Sequence, residues 1–180
     1  HDTSAQVREA AVVSLGRVGG TEVLERVRQS LSDSSYAVEA ASIAVLIHSD
    51  AANRASWIAR GLGMTSYRDV VRNAALDAVA RMGDTAYIGS VDSLRGVTSH
   101  AANTLAVLSA RGSASALSAL MRSRDDTRPY VREWTLRAVR RLPADLRDPP
   151  LRAVAGSLRD AKTRTAVDAL LAPNARPGTH

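Results

Sequence analysis

The sequence predicts an all-α chain folded as a solenoid, one helical pair stacked after another. Three observations carry this expectation. A sequence word recurs: Val7-Arg8-Glu9-Ala10-Ala11 running to Gly19-Gly20, Val71-Arg72-Asn73-Ala74-Ala75 running to Gly83, and Val131-Arg132-Glu133-Trp134-Thr135 running to Pro143. Weaker copies open at Val38-Glu39-Ala40-Ala41 and His100-Ala101-Ala102-Asn103, so the anchors 7, 38, 71, 100 and 131 stand 31, 33, 29 and 31 residues apart. A period near thirty residues marks a repeat whose units bury a core only by stacking on one another. The apolar residues are mainly Ala, Leu and Val, with no Phe. Alanine has the highest helix propensity, and its small side chain lets helices approach closely. Finally, glycine, proline and short polar residues punctuate the apolar periods where helices must end and restart.

The elements follow in order. A first helix runs from about Ser4 to Val18, with Thr3 and Gln6 at capping-box spacing and Val7, Ala10, Ala11, Leu15 and Val18 on one stripe. Gly19-Gly20 ends it, and Thr21 caps a second helix carrying Val23, Leu24, Val27 and Leu31. The next pair places Ala37, Ala40, Ala41, Ala44 and Val45 on its first helix. Asp50 caps its second, which carries Trp57, Ile58 and Leu62. A third pair begins near Ser66 and breaks at Gly83, with Asp84 or Thr85 capping a helix that holds Ile88, Val91 and Leu94. The fourth starts near Ser99, breaks at Gly112 and resumes with Leu117, Leu120 and Met121. Pro129 opens the fifth, since a first helical turn needs no proline N–H, and Pro143 ends that helix. Asp148-Pro149 starts the next, striped by Leu151, Val154 and Leu158. A terminal helix over about 160–171 caps the array.

The repeats therefore fall at 3–33, 34–64, 65–97, 98–127 and 128–159 in a single domain spanning 3–171, and 172–180 reads as a disordered tail. The chain opens on His1 rather than Met, and reads as a fragment or processed product of a longer protein.

Composition excludes several classes. With no Cys there is no disulfide framework, thiolate metal site or cysteine nucleophile. No apolar run reaches the length of a membrane span, so no membrane partner is expected, and no signal-peptide pattern opens the chain. The net charge of +6 is concentrated in residues 122–164, which hold twelve basic and six acidic residues. Such a surface attracts phosphates or an acidic protein face. Its candidate patch is Arg137, Arg140, Arg141, Arg147, Arg152 and Arg159.

The pattern Val-Arg-x-Ala-Ala, then an apolar helix ending at Gly and a second apolar helix, resembles the short HEAT-like repeats over roughly residues 3–160. That resemblance implies a right-handed α-solenoid of five helical pairs and a terminal helix, with first helices on the convex side and second helices on the concave side. A narrower likeness lies in Ser35-Tyr36-Ala37-Val38-Glu39-Ala40-Ala41 and in Thr65-Ser66-Tyr67-Arg68-Asp69-Val70-Val71-Arg72-Asn73-Ala74-Ala75-Leu76. Both look like the C-terminal helical repeats of bacterial M1-type zinc aminopeptidases. The resemblance implies an accessory array that packs on a catalytic domain. The zinc motif His-Glu-x-x-His of that family is absent from these residues.

The residues expected to make contact lie on the second helices: Arg26, Arg28, Arg54, Trp57, Arg60, Arg95, Arg122 and Arg124. Arg8, Arg72 and Arg132 share one repeat position, and we expect each to pair with an acid in a turn between repeats, where Asp33, Asp69 and Asp126 stand. Trp134 occupies the slot of Ala10 and Ala74 and is expected to fill core. His48 and His100 have no acidic or His neighbour one turn away, and a metal needs three or four converging ligands. No serine lies in Gly-x-Ser-x-Gly. The expectation is a chain without catalytic residues, cofactor or metal, whose partner is a protein: its own catalytic domain or another chain. A free-standing interaction solenoid is one alternative. Nucleic-acid binding through the basic residues is the other.

Overall fold

A computed structural model describes residues 3–94 and 98–172. They form eleven α-helices and, among the described residues, no strand. These are α1 (Ala5–Val18), α2 (Thr21–Gln29), α3 (Tyr36–Ser49), α4 (Arg54–Gly63), α5 (Val70–Met82), α6 (Ile88–Leu94), α7 (Ser99–Ala110), α8 (Ala114–Arg122), α9 (Pro129–Val139), α10 (Ala144–Val154) and α11 (Ala161–Leu171). Short 3-10 turns join several of them. The tail expected to be disordered lies, but for Ala172, outside the described residues.

The chain divides into two compact units at Val91 and Asp92, within α6. In the first, α3 is the central element and packs against both α1 and α5. Its Val38, Ile43, Leu46 and Ile47 are all buried. Two glycines set how closely the helices approach. A Cβ on Gly16 of α1 would stand 2.8 Å from the Val45 methyls, and one on Gly61 of α4 would stand 2.8 Å from Ala75 Cβ and Ile43 Cγ2. Gly83 ends α5 in the left-handed region, its N–H returning to the Val79 carbonyl at 3.0 Å. In the second unit α7 packs on α8 and α9, and α11 packs on α9 and α10. Leu105, Leu108, Leu120, Val131, Leu151 and Val167 form its core. Thr104 and Ser109 are buried with them, each hydroxyl donating to the carbonyl four residues earlier.

Several local expectations are corrected. The N-cap of α1 is Ser4, with no side-chain cap bond, and the Thr3 carbonyl instead accepts from Arg8. Thr21 lies inside α2, behind Gly20 as N-cap. Asp84 does cap its turn, accepting from the Ala86 N–H, and α7 starts at Ser99 as expected, with Thr98 as its cap. Helix α9 stops at Val139, and Pro143 stands just before α10 instead of closing α9. Helix α10 then starts at Ala144 and runs through Pro149 and Pro150, which remove two donors from its hydrogen-bond ladder. Full burial of Leu151 holds the helix across that gap.

The α1 stripe is the largest correction. Only Val12 of α1 is buried; Ala10 and Ala11 are exposed, as are Val7 and Val18.

Candidate interaction surfaces

The second helices were expected to present arginines to a partner. Most of those arginines are held within the chain. Arg26 pairs with Glu22 at 3.0 Å, one turn away on α2. Arg28 donates to Glu25 at 3.0 Å and to Asp50 at 2.7 Å. Asp50 is buried at the end of α3 and does not cap α4. It also accepts from Trp57 Nε1 at 2.9 Å and Asn53 Nδ2 at 3.1 Å. The Arg28 guanidinium, then the Trp57 indole, hold the Asp50 carboxyl at a pKa of about 2, with burial opposing them. Arg28 and Trp57 are thus brought together, with the guanidinium 5.9 Å from the ring centroid, but on an internal acid that ties α2 to α4. Arg54 donates to the carbonyls of Ile47 and His48. Arg122 reaches Asp92 at 2.6 Å, and Arg124 the Met121 carbonyl at 2.8 Å. Arg60 alone of this set is exposed with no partner among the described residues. Arg95 lies outside them.

The shared arginine position behaves as a repeat tie. Arg8 grips Asp33 with two bonds, at 2.7 and 2.8 Å, and holds the Asp33 carboxyl below its ordinary pKa. Arg72 donates to Asp69 at 2.8 Å and to the Leu62 carbonyl at 2.9 Å. Arg132 departs from expectation: it takes the backbone carbonyl of Asp126 at 2.6 Å, and its ion pair is with Asp160 at 3.1 Å. The Asp126 side chain is turned to Arg128 instead. A local partner two residues away, already in reach of the turn, outcompetes the longer approach to Arg132.

Two surfaces remain uncommitted. One is the outer side of α1. Val7 is 51 % exposed and Val18 76 %. The repeat equivalents of Val7 show what the word is built for: Val38 and Val71 are buried, as are Ser42 and Ala75, the counterparts of Ala11. Helix α3 has α1 and α2 packed against it, and α5 has α3 and α4; among the described residues nothing occupies the corresponding place on α1.

The other surface is a groove of about 560 Å³ between α9 and the start of α11. Glu133, Leu136, Arg137 and Arg140 recur at three- and four-residue spacing, so they share the face of α9 that lines it. Lys162, Thr163 and Ala166 form the opposite wall. Tyr130 stands at the rim, 47 % exposed, its ring edge-on to Trp134 with centroids 5.0 Å apart. Trp134 is therefore half-buried against Tyr130; the residues of this helix that enter the core are Val131, Thr135, Ala138 and Val139. The Arg128 guanidinium lies over the Tyr130 ring, 6.0 Å from its centroid.

The charges of the basic patch divide into used and free. Arg137 pairs with Glu133 at 2.7 Å, Arg141 donates to Asn103 Oδ1 at 3.1 Å, and Arg147 pairs with Asp148 at 2.8 Å. Arg152 reaches the same Asp148 at 3.9 Å. Arg140, Arg159 and Lys162 are exposed and make no hydrogen bond or ion pair among the described residues, Lys162 acting on Asp160 only through space, and Arg140 and Lys162 both line the groove. Sequence reasoning missed Tyr130 and Lys162. Their signals were present: Tyr130 precedes the repeated Val-Arg where other copies have Gln6, Ala37, Ser99 or Val70, and Lys162 is the single lysine.

Among the described residues no group of three or more His, Cys, Asp or Glu is placed to hold a metal, and no helix is long and apolar enough to cross a membrane. Residues 7–33 match the family model of the PBS lyase HEAT-like repeat. The match opens at the exposed Val7 and closes at Asp33, the acid that Arg8 grips, so it spans α1, α2 and their closing turn. It supports a HEAT-like repeat in this chain, and with it a protein-interaction role. No curated protein matches the sequence.

Proposed function

We propose that the chain is a non-catalytic HEAT-like scaffold that binds another protein surface through the outer side of α1. One observation carries this reading: positions that are buried in α3 and α5 are exposed at Val7 and Ala11, with Val18 exposed beyond them on the same helix. An exposed valine and alanine at positions the repeat buries elsewhere, continued by the exposed Val18, are a face awaiting a partner. The terminal helix α11 contrasts with it, since its outward Lys162, Thr165 and Asp168 suit water. In the finer form of the proposal, the repeats make a right-handed solenoid of five pairs. The chain is then the C-terminal accessory array of an M1-type aminopeptidase-like protein, and α1 packs on what precedes it. The likeness of residues 35–41 and 65–76 supports that form. The contact then lies on α1, because most of the described arginines of the second helices are engaged internally.

The test is association, measured by calorimetry, between this chain and the domain encoded beside it. Val7→Glu with Val18→Glu should weaken binding by about a hundredfold, from the loss of two buried apolar side chains. Unchanged affinity removes the α1 reading. A His-Glu-x-x-His motif upstream in the same reading frame supports the aminopeptidase form, and its absence ends it.

A further inference from the structure

We propose that the α9–α11 groove is a second docking site, which takes an acidic segment of a partner protein bearing apolar side chains between its carboxylates. The site is separate from the α1 face and stands whether or not that face is used.

The inference rests on which charges are left over. Four cations line the groove: Arg132, Arg137, Arg140 and Lys162. The first two are balanced by the two acids of the same walls, Asp160 and Glu133. Arg140 and Lys162 make no ion pair among the described residues, Lys162 feeling Asp160 only through space beside Arg132, and they stand on opposite walls. Between them the surface is apolar, formed by Leu136 and Ala166, both half-buried. Tyr130 is held by Trp134 and by the Arg128 guanidinium over its ring, so its exposed part is presented at little cost in side-chain entropy.

The combination belongs to this repeat alone. At the position of Arg140 the other copies have Gly16, Ile47, Ala80 and Ser109, and at that of Trp134 they have Ala10, Ala41, Ala74 and Asn103. The repeat word needs neither side chain, so the groove is an addition to the scaffold rather than part of it.

The same features select a peptide over a nucleic acid. Phosphate backbones are held by runs of unbalanced cations. Here most of the basic residues of the window are paired with acids or carbonyls, and two carboxylates line the walls. A peptide with glutamates one helical turn apart meets Arg140 and Lys162 with its charges, and Leu136, Ala166 and Tyr130 with the side chains between.

The probe is a short, fluorescein-labelled synthetic peptide of glutamate, leucine and alanine, with glutamates at three- and four-residue spacing. Anisotropy is followed with the whole chain at low salt. Binding should fall about tenfold or more on Arg140→Glu with Lys162→Glu, since both rim charges are reversed. It should fall likewise when the glutamates of the peptide are replaced by glutamine. It should persist in the charge-matched control Arg17→Glu with Arg60→Glu, which reverses two exposed cations of the other unit, and in Val7→Glu with Val18→Glu. No binding, equal loss in the Arg17/Arg60 control, or equal binding of the glutamine peptide would overturn the site. Tighter binding of single-stranded oligothymidylate than of the peptide would overturn its assignment to protein.

Discussion

Arg28 donates to Asp50 across 2.7 Å, and this bond joins the second helix of one repeat to the turn that opens the second helix of the next. Trp57 and Asn53 complete the set around the same carboxylate. The arrangement explains why Arg28 and Trp57 do not point outward: a buried acid must be compensated, and the nearest donors are those side chains.

Asp50→Ala should therefore destabilise the first unit by about 2 kcal/mol, because three donors lose their acceptor at a buried position. Urea unfolding followed by Trp57 fluorescence measures it. A loss within error of zero would show that the cluster is solvated and carries no stability.

The same carboxylate predicts a pH dependence. Its folded pKa is about 2 against an ordinary carboxylate value near 3.8, so the folded state favours the charged form. The contribution is complete above the unfolded pKa and is lost as pH falls from about 4 to about 2. Thermal melts across that range should fall more steeply for the native chain than for Asp50→Asn, whose side chain does not titrate. Parallel curves would assign the acid lability to Asp33 and Asp160, whose pKa values are also lowered, the first mainly by Arg8 and the second mainly by Thr163.

One substitution should have opposite signs at two glycines. Gly61→Ala places a methyl 2.8 Å from Ala75 and Ile43, and the overpacking cost of about 1–3 kcal/mol exceeds the gain in helix propensity. Gly89→Ala, with nothing within 4 Å of the new Cβ, should instead stabilise by about 0.5–1 kcal/mol. Melting temperatures of the two variants decide it. A stabilising Gly61→Ala would mean that α4 can retreat from α3 and α5.

Much of the fold was legible because a repeat displays its rules several times over. The thirty-residue period, the valine and alanine positions and the Gly83 helix end follow from periodicity and backbone preference, which are local. The repeated arginine could be read as a structural tie for the same reason, and Arg8 and Arg72 pair as the spacing suggests. Environment was not legible. Val7 and Val71 share one word, yet one is half exposed and the other buried, because burial depends on what packs against a helix and not on the helix itself.

The groove shows the same division. The sequence alone determined that basic residues gather in the last third of the chain and that this repeat carries unusual aromatics. Only the tertiary structure decided that Arg137 is neutralised by Glu133 while Arg140 is free, and that Lys162 faces it from another helix. Pairing at three- or four-residue spacing is written in one helix; pairing between α9 and α11 is written in the packing that brings them together.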